Sequence, residues 1–456
     1  MEKTIAAIST APGTGGIAVL RISGKQAIEI ADRIFQGKQP LAQAATHTVH
    51  YGYIVNQDGI RVDEVLVTLM RAPRSFTCED VVEISTHGGA MPSRRVLEEV
   101  IRAGAYPAEP GEFTKRAFLN GRIDLSQAEA VIDMIHSKNE LAQKNALSQL
   151  EGRLSVQIEE IRTQLVSLAA QLQVTIDYPD EDLEDLTPAE LLASVKQCRN
   201  VVKTLLNTAD QGRILNEGIR TVIVGKPNVG KSSLLNLLAR AERAIVTEIP
   251  GTTRDVIEET VNLDGVPLVL VDTAGIRDTE DIVEKIGVQR SKESMDMADL
   301  VVVVLDGSRL LEEGDKELLR QAGSKKRIIL INKTDLGQSE YKEAVQAEAN
   351  GAPVLEISAM TGDGLEQLSE VIRQMYHFGE IGQNDVPVIT NIRHKASLLH
   401  AEESLGQMIQ ALEAGLPTDI ASIDLNAAID SLGEITGATV SEDVVSAIFH
   451  NFCVGK

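Results

Sequence analysis

Apolar and polar positions alternate in three different ways along this chain, and each pattern predicts a different kind of element. From residue 1 to about 120, short β-rich runs recur: Ile17-Ala-Val-Leu-Arg-Ile22, Val65-Leu-Val-Thr-Leu69 and Val81-Val-Glu-Ile84. One helical segment falls among them, near 92–103. This stretch predicts a small α+β domain. Gly13-Thr-Gly15-Gly16 has the look of a dinucleotide loop, yet it leads into a strand-like run and not a helix, which argues against that use.

From about 125 the period becomes helical. Leu147, Leu150, Leu154, Ile158, Ile161, Leu165, Leu168 and Leu172 step by three and four, a stripe that predicts bundle core and not a cofactor site. The acidic run Asp177 to Asp185, interrupted by Pro179, reads as a solvated connection. Buried-strand runs follow: Thr221-Val-Ile-Val224, Pro267-Leu-Val-Leu-Val271, Arg327-Ile-Ile-Leu-Ile331 and Pro353-Val-Leu-Glu-Ile357. Helical spacing resumes at Leu398, Leu405, Met408, Ile409 and Leu412. Neither helical part looks self-sufficient. The expectation is a multidomain α/β and α protein: an α+β domain (1–120), and one discontinuous helical bundle (121–218 and 381–456). An α/β domain (219–380) is inserted between the two helical parts. Such an insertion could transmit nucleotide state to the bundle.

Composition narrows the setting. The chain has 456 residues and a formal charge of −23, enough for several domains with ample core. No apolar stretch is long enough to span a bilayer and no leader opens the sequence, so a soluble cytoplasmic protein without a membrane partner is expected. Cys78, Cys198 and Cys453 have no metal spacing and point to a reducing compartment. Basic and acidic groups balance in 1–120, and the acidic excess lies beyond. A chain this acidic should bind nucleic acid poorly by itself, so an RNA substrate would call for a basic partner.

The candidate chemistry sits at the ends of the apolar runs. Gly225-Lys-Pro-Asn228-Val229-Gly230-Lys231-Ser232 is a complete Walker A loop between a strand pattern and a helical one (Leu234, Leu235, Leu237, Leu238). Its backbone N–H groups can turn inward around phosphates at a helix N-terminus, with Lys231 reaching the outer phosphates and the Ser232 hydroxyl binding Mg²⁺. Asp272-Thr273-Ala274-Gly275 would hold the Mg²⁺ shell and face the γ-phosphate. Asn332-Lys333-Thr-Asp335 supplies an acceptor for guanine N1 and its exocyclic amine, which adenine cannot match, and a backbone N–H at Ser358-Ala359-Met360 would meet the guanine oxygen. Four motifs in order, each after a strand, resemble a Ras-like P-loop GTPase domain with a parallel-type α/β sheet. The water-orienting Gln of small GTPases is replaced by Ile276. Arg254, Arg277 and Glu284 are nearby substitutes, and the Asn228 amide suits a potassium ion that would bring positive charge to the phosphates.

Motifs at the two ends of the chain extend the resemblance. His87-Gly-Gly89, Pro110-Gly-Glu-Phe-Thr-Lys-Arg-Ala-Phe-Leu-Asn-Gly-Arg122-Ile-Asp-Leu and the terminal Phe452-Cys453-Val454-Gly455-Lys456, with the GTPase motifs, closely resemble the MnmE (TrmE) family of tRNA-modification GTPases over essentially the whole chain. The usual terminal motif has Ile where Val454 stands, and the usual basic residue at 122 is often Lys. The resemblance implies a homodimer through an N-terminal tetrahydrofolate-binding domain that holds a 5-formyl or methylene-type folate on Arg21, Glu83, Arg122 and Lys456. With a flavoprotein partner, MnmG of the glucose-inhibited division protein A family, it implies installation of an aminomethyl-type group on carbon 5 of the wobble uridine of certain tRNAs. The FAD belongs to the partner.

In the GTPase domain the resemblance implies GTP/GDP contacts from Asn228 to Ser233, Thr247, Glu248, Ile249, Pro250, Gly251, Thr252, Thr253, Asp272 to Gly275, Asn332, Lys333, Asp335, Ser358 and Ala359. Potassium would sit on Asn228, Thr247, the Ile249 carbonyl and Thr252, and Mg²⁺ on Ser232 and Thr253. Glu284 would orient the attacking water, and Cys453 is a catalytic candidate. Bland readings remain for several: Arg21 as a strand surface pair, Glu83 as an outward charge, Glu284 as a solvated helix face, Cys453 as a small hydrophobe, Lys456 as a frayed end. Lys456 stands out because residues 396–455 hold no Lys or Arg. Two other readings of the whole chain are a regulatory GTPase of ribosome assembly without modification chemistry and a folate-dependent one-carbon transferase acting alone.

Overall fold

The computed structural model describes residues 3–137, 139–177, 187–241, 259–271, 295–336, 341–376, 378 and 386–456. Its first elements are β1 (Ile5–Ile8), β2 (Ile17–Ser23), α1 (Ala27–Ile34), β3 (Phe35–Gly37), β4 (Thr48–Val55) and β5 (Arg61–Met70). Next come β6 (Val81–His87), α2 (Ala90–Arg102), β7 (Tyr106–Pro107) and α3 (Glu112–Leu119). Helices follow: α4 (Leu125–His136), α5 (Glu140–Leu150), α6 (Arg153–Asp177), α7 (Pro188–Asn207) and α8 (Ala209–Glu217). The central stretch runs β8 (Ile219–Val224), α9 (Lys231–Ala241), β9 (Glu259–Leu263), β10 (Val266–Leu270) and β11 (Leu300–Asp306). It continues as α10 (Glu313–Gln321), β12 (Arg327–Asn332), α11 (Tyr341–Glu348), β13 (Val354–Glu356) and α12 (Leu365–Met375). Last are α13 (Ile392–Glu413), α14 (Thr418–Thr436) and α15 (Glu442–His450). The chain divides into two compact units, one of residues 1–132, 150–163 and 429–456, the other of 133–149 and 164–428.

The first unit is built on a seven-stranded sheet in the order β3-β4-β5-β6-β2-β1-β7. Ile28, Ile30 and Ile34 of α1 and Val96 and Val100 of α2 bury against one face of it, on Leu20, Ile22, Val67, Leu69, Val82 and Ile84. Residues 1–120 hold three helices, α1, α2 and α3, where the sequence reading expected one. α1 carried its own signal, apolar side chains at 27, 28, 30, 31 and 34, the spacing of one helix face. The opposite face of the sheet leaves Ile17, Val49, Tyr51 and Leu66 exposed.

The far end of the chain belongs to this unit. Phe449 packs on Phe452 with ring centroids 4.9 Å apart and on Phe118 at 6.3 Å. The last residues then pair with the stretch before α3: Val454 bridges Pro110, the Gly111 N–H donates to the Cys453 carbonyl (3.3 Å), and the Phe113 N–H to the Lys456 carbonyl (3.2 Å). Ser9 Oγ adds a bond to the Gly455 carbonyl, 2.9 Å. Gly455 has φ +92°, and a Cβ there would lie 2.4 Å from the Ile8 carbonyl oxygen. Only glycine fits this approach.

The helical stripe needs one correction. Leu154, Ile158, Ile161, Leu165, Leu168 and Leu172 are buried along α6, but the chain turns at 151–152 and Leu147 on α5 is exposed. Within the second unit α7 and α13, far apart in sequence, pack together and exchange ion pairs, Arg199–Glu402 at 2.8 Å and Lys196–Glu413 at 2.6 Å.

The second unit contains a six-stranded sheet, β13-β12-β11-β8-β10-β9. Every neighbouring pair is parallel except β10–β9, so the expected parallel sheet carries one antiparallel edge. Its strands are apolar on both faces. Leu300, Val302 and Val304 of β11 face the core shared with α9 and α12, whereas Val301, Val303 and Leu305 face that of α10 and α11. Each such fully buried side chain stabilises the unit by roughly 1.5–3 kcal/mol. The carboxyl ends of β8, β11 and β12 therefore meet at fixed positions, where open α/β sheets bind ligands.

Gly455→Val should detach the chain end locally. Amide exchange at Gly111 and Phe113, followed by mass spectrometry, is expected to rise while the melting temperature changes little. Unchanged protection would mean the seam does not need glycine there.

Candidate functional site

The phosphate loop links β8 to α9. Asn228 and Gly230 both have positive φ, +64° and +99°, which turns successive backbone N–H groups to one side, as a nest for anions requires. Val229 between them is fully buried and anchors the turn. A Cβ at Gly230 would lie 2.2 Å from Asn332 Nδ2, so the glycine makes room for the loop that follows β12. Lys231 folds over the loop and its ammonium donates to the carbonyls of Gly225 (2.7 Å) and Lys226 (2.8 Å). Burial pushes its pKa below the usual lysine value.

Asn332 ties three loops together. Its Nδ2 donates to the Val229 carbonyl (2.8 Å) and its Oδ1 accepts from the Ala359 N–H (3.0 Å). The Ala359 amide, one candidate for the guanine oxygen, is thus engaged with Asn332. Ser358 Oγ donates to Asp335 Oδ1 (2.8 Å) and orients that carboxylate. The sequence-identified Asn228 to Lys231, Asn332, Asp335, Ser358 and Ala359 thereby come from three strand ends into one interlocked set.

Three carboxylates joined to it escaped the sequence reading. Lys333, itself at φ +67°, pairs with Asp306 at 2.7 Å, and Lys226 pairs with Glu312 at 2.8 Å and Asp315 at 3.1 Å. Burial would raise the Asp306 pKa, but hydrogen bonds from Lys333 and from Ser308 hold it below its ordinary value. The available signal was position: Asp306 ends a strand that is otherwise wholly apolar.

Thr247, Glu248, Ile249, Pro250, Gly251, Thr252, Thr253, Asp272, Thr273, Ala274, Gly275 and Glu284 lie outside the described residues, as do Arg254, Ile276 and Arg277. Of the expected ion ligands, Asn228 is exposed at the loop and Ser232 stands in the first turn of α9. Asn228 and Ser232 offer amide and hydroxyl oxygens, donors of the kind such hard cations take, and the other expected ion ligands lie outside the described residues.

A second cluster lies in the first unit. Arg21 and Glu83 are directly opposite on β2 and β6, and the guanidinium gives Nε and Nη2 to Glu83 Oε1 at 2.9 and 2.8 Å. The same guanidinium lies 5.4 Å from the Phe76 ring centre and 5.6 Å from that of Phe113. Arg122 stacks on Phe76 at 4.8 Å and donates to its carbonyl at 2.8 Å. Phe113 is the residue whose N–H holds the Lys456 carbonyl. Arg21, Glu83, Arg122 and the backbone of Lys456 thus gather around two phenylalanines to which the sequence reading gave no role. Cys453 is exposed beside them in the chain. Among the described residues no cluster of His, Cys, Asp and Glu could hold a metal ion, and no helix is long and apolar enough to cross a membrane.

Asp335→Asn tests the base reading. Replacing an acceptor by a donor leaves the guanine N1–H and amine unmatched, so GDP affinity should fall by roughly 10²-fold, about 2.7 kcal/mol. Xanthosine diphosphate, with a carbonyl in place of the amine, should gain. Calorimetric titration that finds the two nucleotides ranked as before would remove Asp335 from base recognition.

The family described as the MnmE helical domain matches residues 125–453, and the one described as the GTP-binding protein TrmE N-terminus matches residues 4–122. Among curated proteins, the tRNA modification GTPase MnmE of Acetivibrio thermocellus is 48% identical over 456 residues, covering 100% of this chain and 99% of that protein. Its namesakes from Listeria welshimeri and Clostridioides difficile are each 50% identical, covering 99% and 100% of this chain and the same shares of their own. Among solved structures, the G domain of the Thermotoga maritima FeoB iron transporter is 28% identical and covers 35% of this chain and 98% of its own, with a TM-score of 0.27.

Proposed function

The chain belongs to the MnmE family of tRNA modification GTPases and is a GTP hydrolase acting in tRNA modification; we propose that potassium stimulates its turnover and that folate-dependent chemistry runs at the end-to-end seam of its first unit. The proposed product, made with the MnmG flavoprotein and its FAD, is an aminomethyl-type group on carbon 5 of the wobble uridine. A tetrahydrofolate derivative, 5-formyl or methylene, supplies the carbon.

In the GTPase half, the interlocked loops hold the nucleotide while Lys231 and the loop N–H groups neutralise its phosphates. Ser232 and Thr253 would hold Mg²⁺. Asn228, Thr247, the Ile249 carbonyl and Thr252 would hold K⁺, whose charge offsets that developing on the transferred phosphoryl group. The need for it is supported by Ile276, which cannot orient water, and Glu284 is proposed to do so instead.

In the folate half, the single observation that carries the reading is the seating of the Lys456 carbonyl on Phe113, beside Arg21, Glu83 and Arg122. Two guanidiniums, a carboxylate and the half-buried Phe76 ring suit a flat, hydrogen-bonding heterocycle with an acidic tail, with the buried Phe113 ring backing Arg21. Homodimerisation is supported by the open sheet face, where Val49, Tyr51 and Leu66 stand exposed on adjacent strands. That face also carries Arg21 and Glu83, which alternate outward between buried neighbours.

The cation proposal predicts markedly faster GTP hydrolysis in K⁺ than in Na⁺, with the difference abolished in Asn228→Ala and turnover low in either salt for Glu284→Ala. Equal steady-state rates in both salts for the unmodified protein would refute it. The seam proposal predicts that removing Cys453 to Lys456 stops tRNA modification while GTP hydrolysis stays near normal. Nucleoside analysis after reconstitution with flavoprotein, tRNA, folate and GTP, beside a phosphate-release assay, checks this, and normal modification would exclude the chain end from the reaction.

A further inference from the structure

The stretch between β11 and α10 holds one lysine from each nucleotide-binding loop. At its start Asp306, 9% exposed at the side chain, takes the Lys333 ammonium at 2.7 Å, and its other oxygen accepts from Ser308 N–H (3.0 Å) and Oγ (2.6 Å). The Gly307 N–H donates to the Asn332 carbonyl at 2.8 Å, so backbone and side chain fasten the same loop. At its end Asp315, 3% exposed, and Glu312 take the Lys226 ammonium at 3.1 and 2.8 Å. Asp315 also accepts the Glu312 N–H at 3.0 Å and closes the capping box of α10.

We propose that residues 306–315 are a positioning clamp for the nucleotide: Asp306 sets the base-binding loop through Lys333, and Asp315 with Glu312 sets the phosphate loop through Lys226. It rests on the reading of these loops as guanine- and phosphate-binding.

Three features support a role beyond packing. Asp306 and Asp315 are nearly buried, and a buried carboxylate is tolerated only with a partner of fixed geometry. Both partners come from nucleotide-binding motifs and not from neighbouring helix turns. Lys333 also holds a left-handed backbone that a side chain disfavours, and such conformations persist only where surrounding contacts enforce them. The clamp reaches the base through one end and the phosphates through the other. Neither carboxylate is proposed to touch nucleotide, so both are positioning residues.

The two ends predict different losses. In the full-length protein, Asp306→Asn should weaken guanosine and GDP by the same factor, about tenfold, the size expected for a charge-assisted bond made neutral. Adding Asp306→Asn to Lys333→Met should cost nothing further, because the pair acts as one unit. Asp315→Asn should weaken GDP and leave guanosine unchanged, since only the phosphate loop is released. Competition against a fluorescent GDP analogue gives these constants, and melting of the nucleotide-free protein gives the structural control. Additive losses in the Asp306 and Lys333 pair, or affinity losses that merely follow a fall in melting temperature, would overturn the clamp. If Asp306→Asn does not fold, Ser308→Ala loosens the same carboxylate and should give a smaller loss with the same equal effect on guanosine and GDP. Unchanged affinities there would count against the proposal. Asp335→Asn separates the two levels: if it keeps GDP affinity, the loop does not read guanine and the underlying reading fails, whereas its loss with intact Asp306 and Asp315 variants refutes the clamp alone.

Discussion

The nucleotide site depends on the side-chain amide of Asn332. This residue is 2% exposed and bonds to two other loops, the phosphate loop at Val229 and the loop after β13 at Ala359. A buried polar group left without a partner costs roughly 1–3 kcal/mol, and here an amide N–H and the amide oxygen are both answered. The amide thereby holds three chain segments at hydrogen-bonding distance from one another. The sheet makes this possible. β8, β11 and β12 lie side by side with both faces buried, so their carboxyl ends arrive in register and the loops differ only in how they are tied. Gly230 follows from the same constraint, because any side chain at that position would occupy the space of the amide.

The first unit reaches its organisation by other means. Its sheet is covered on one face by α1 and α2, and the opposite face carries the Arg21–Glu83 pair among exposed apolar side chains. Arg21 is satisfied by Glu83 in this state, so the proposed folate would have to share the pair or bind along its edges. A guanidinium suits such sharing, since its flat face can lie on Phe76 and Phe113 while its nitrogens stay with the carboxylate. The aromatic contacts of Phe118, Phe449 and Phe452 then fix where the last residues run.

How much of this was legible depended on whether a feature was local. The phosphate loop and Asn332-Lys333-Thr-Asp335 are contiguous, so their spacing, taken with their order after successive strand patterns, pointed to them. The mutual bonds of Asn332 were not legible, because they join positions 103 and 27 residues apart. Asp306, Glu312 and Asp315 received no role from the sequence, and only folding shows two of these carboxylates to be buried. The apolar stripe from Leu154 to Leu172 was read correctly and extended too far, since a turn at 151–152 resets the helical phase and leaves Leu147 outside. Conversely α1 was legible and passed over, its short apolar repeat standing between stronger strand signals. Arg21 and Glu83 were named together as folate contacts but not as partners of each other, since a cross-strand pair depends on a register that sequence does not supply.

The hydrogen bond from Ser9 to the Gly455 carbonyl spans 446 positions. At synthesis rates of roughly 5–20 residues per second, the second partner emerges about twenty seconds to a minute and a half after the first. Strands β1 to β7 have everything needed to pair during that interval, yet the N–H groups of Gly111 and Phe113 must wait in water for the carbonyls of Cys453 and Lys456. The nucleotide loops lie wholly upstream of those last residues. Translation thus delivers the nucleotide-binding half before the seam of the first unit can close, and an interrupted chain would retain the former without the latter.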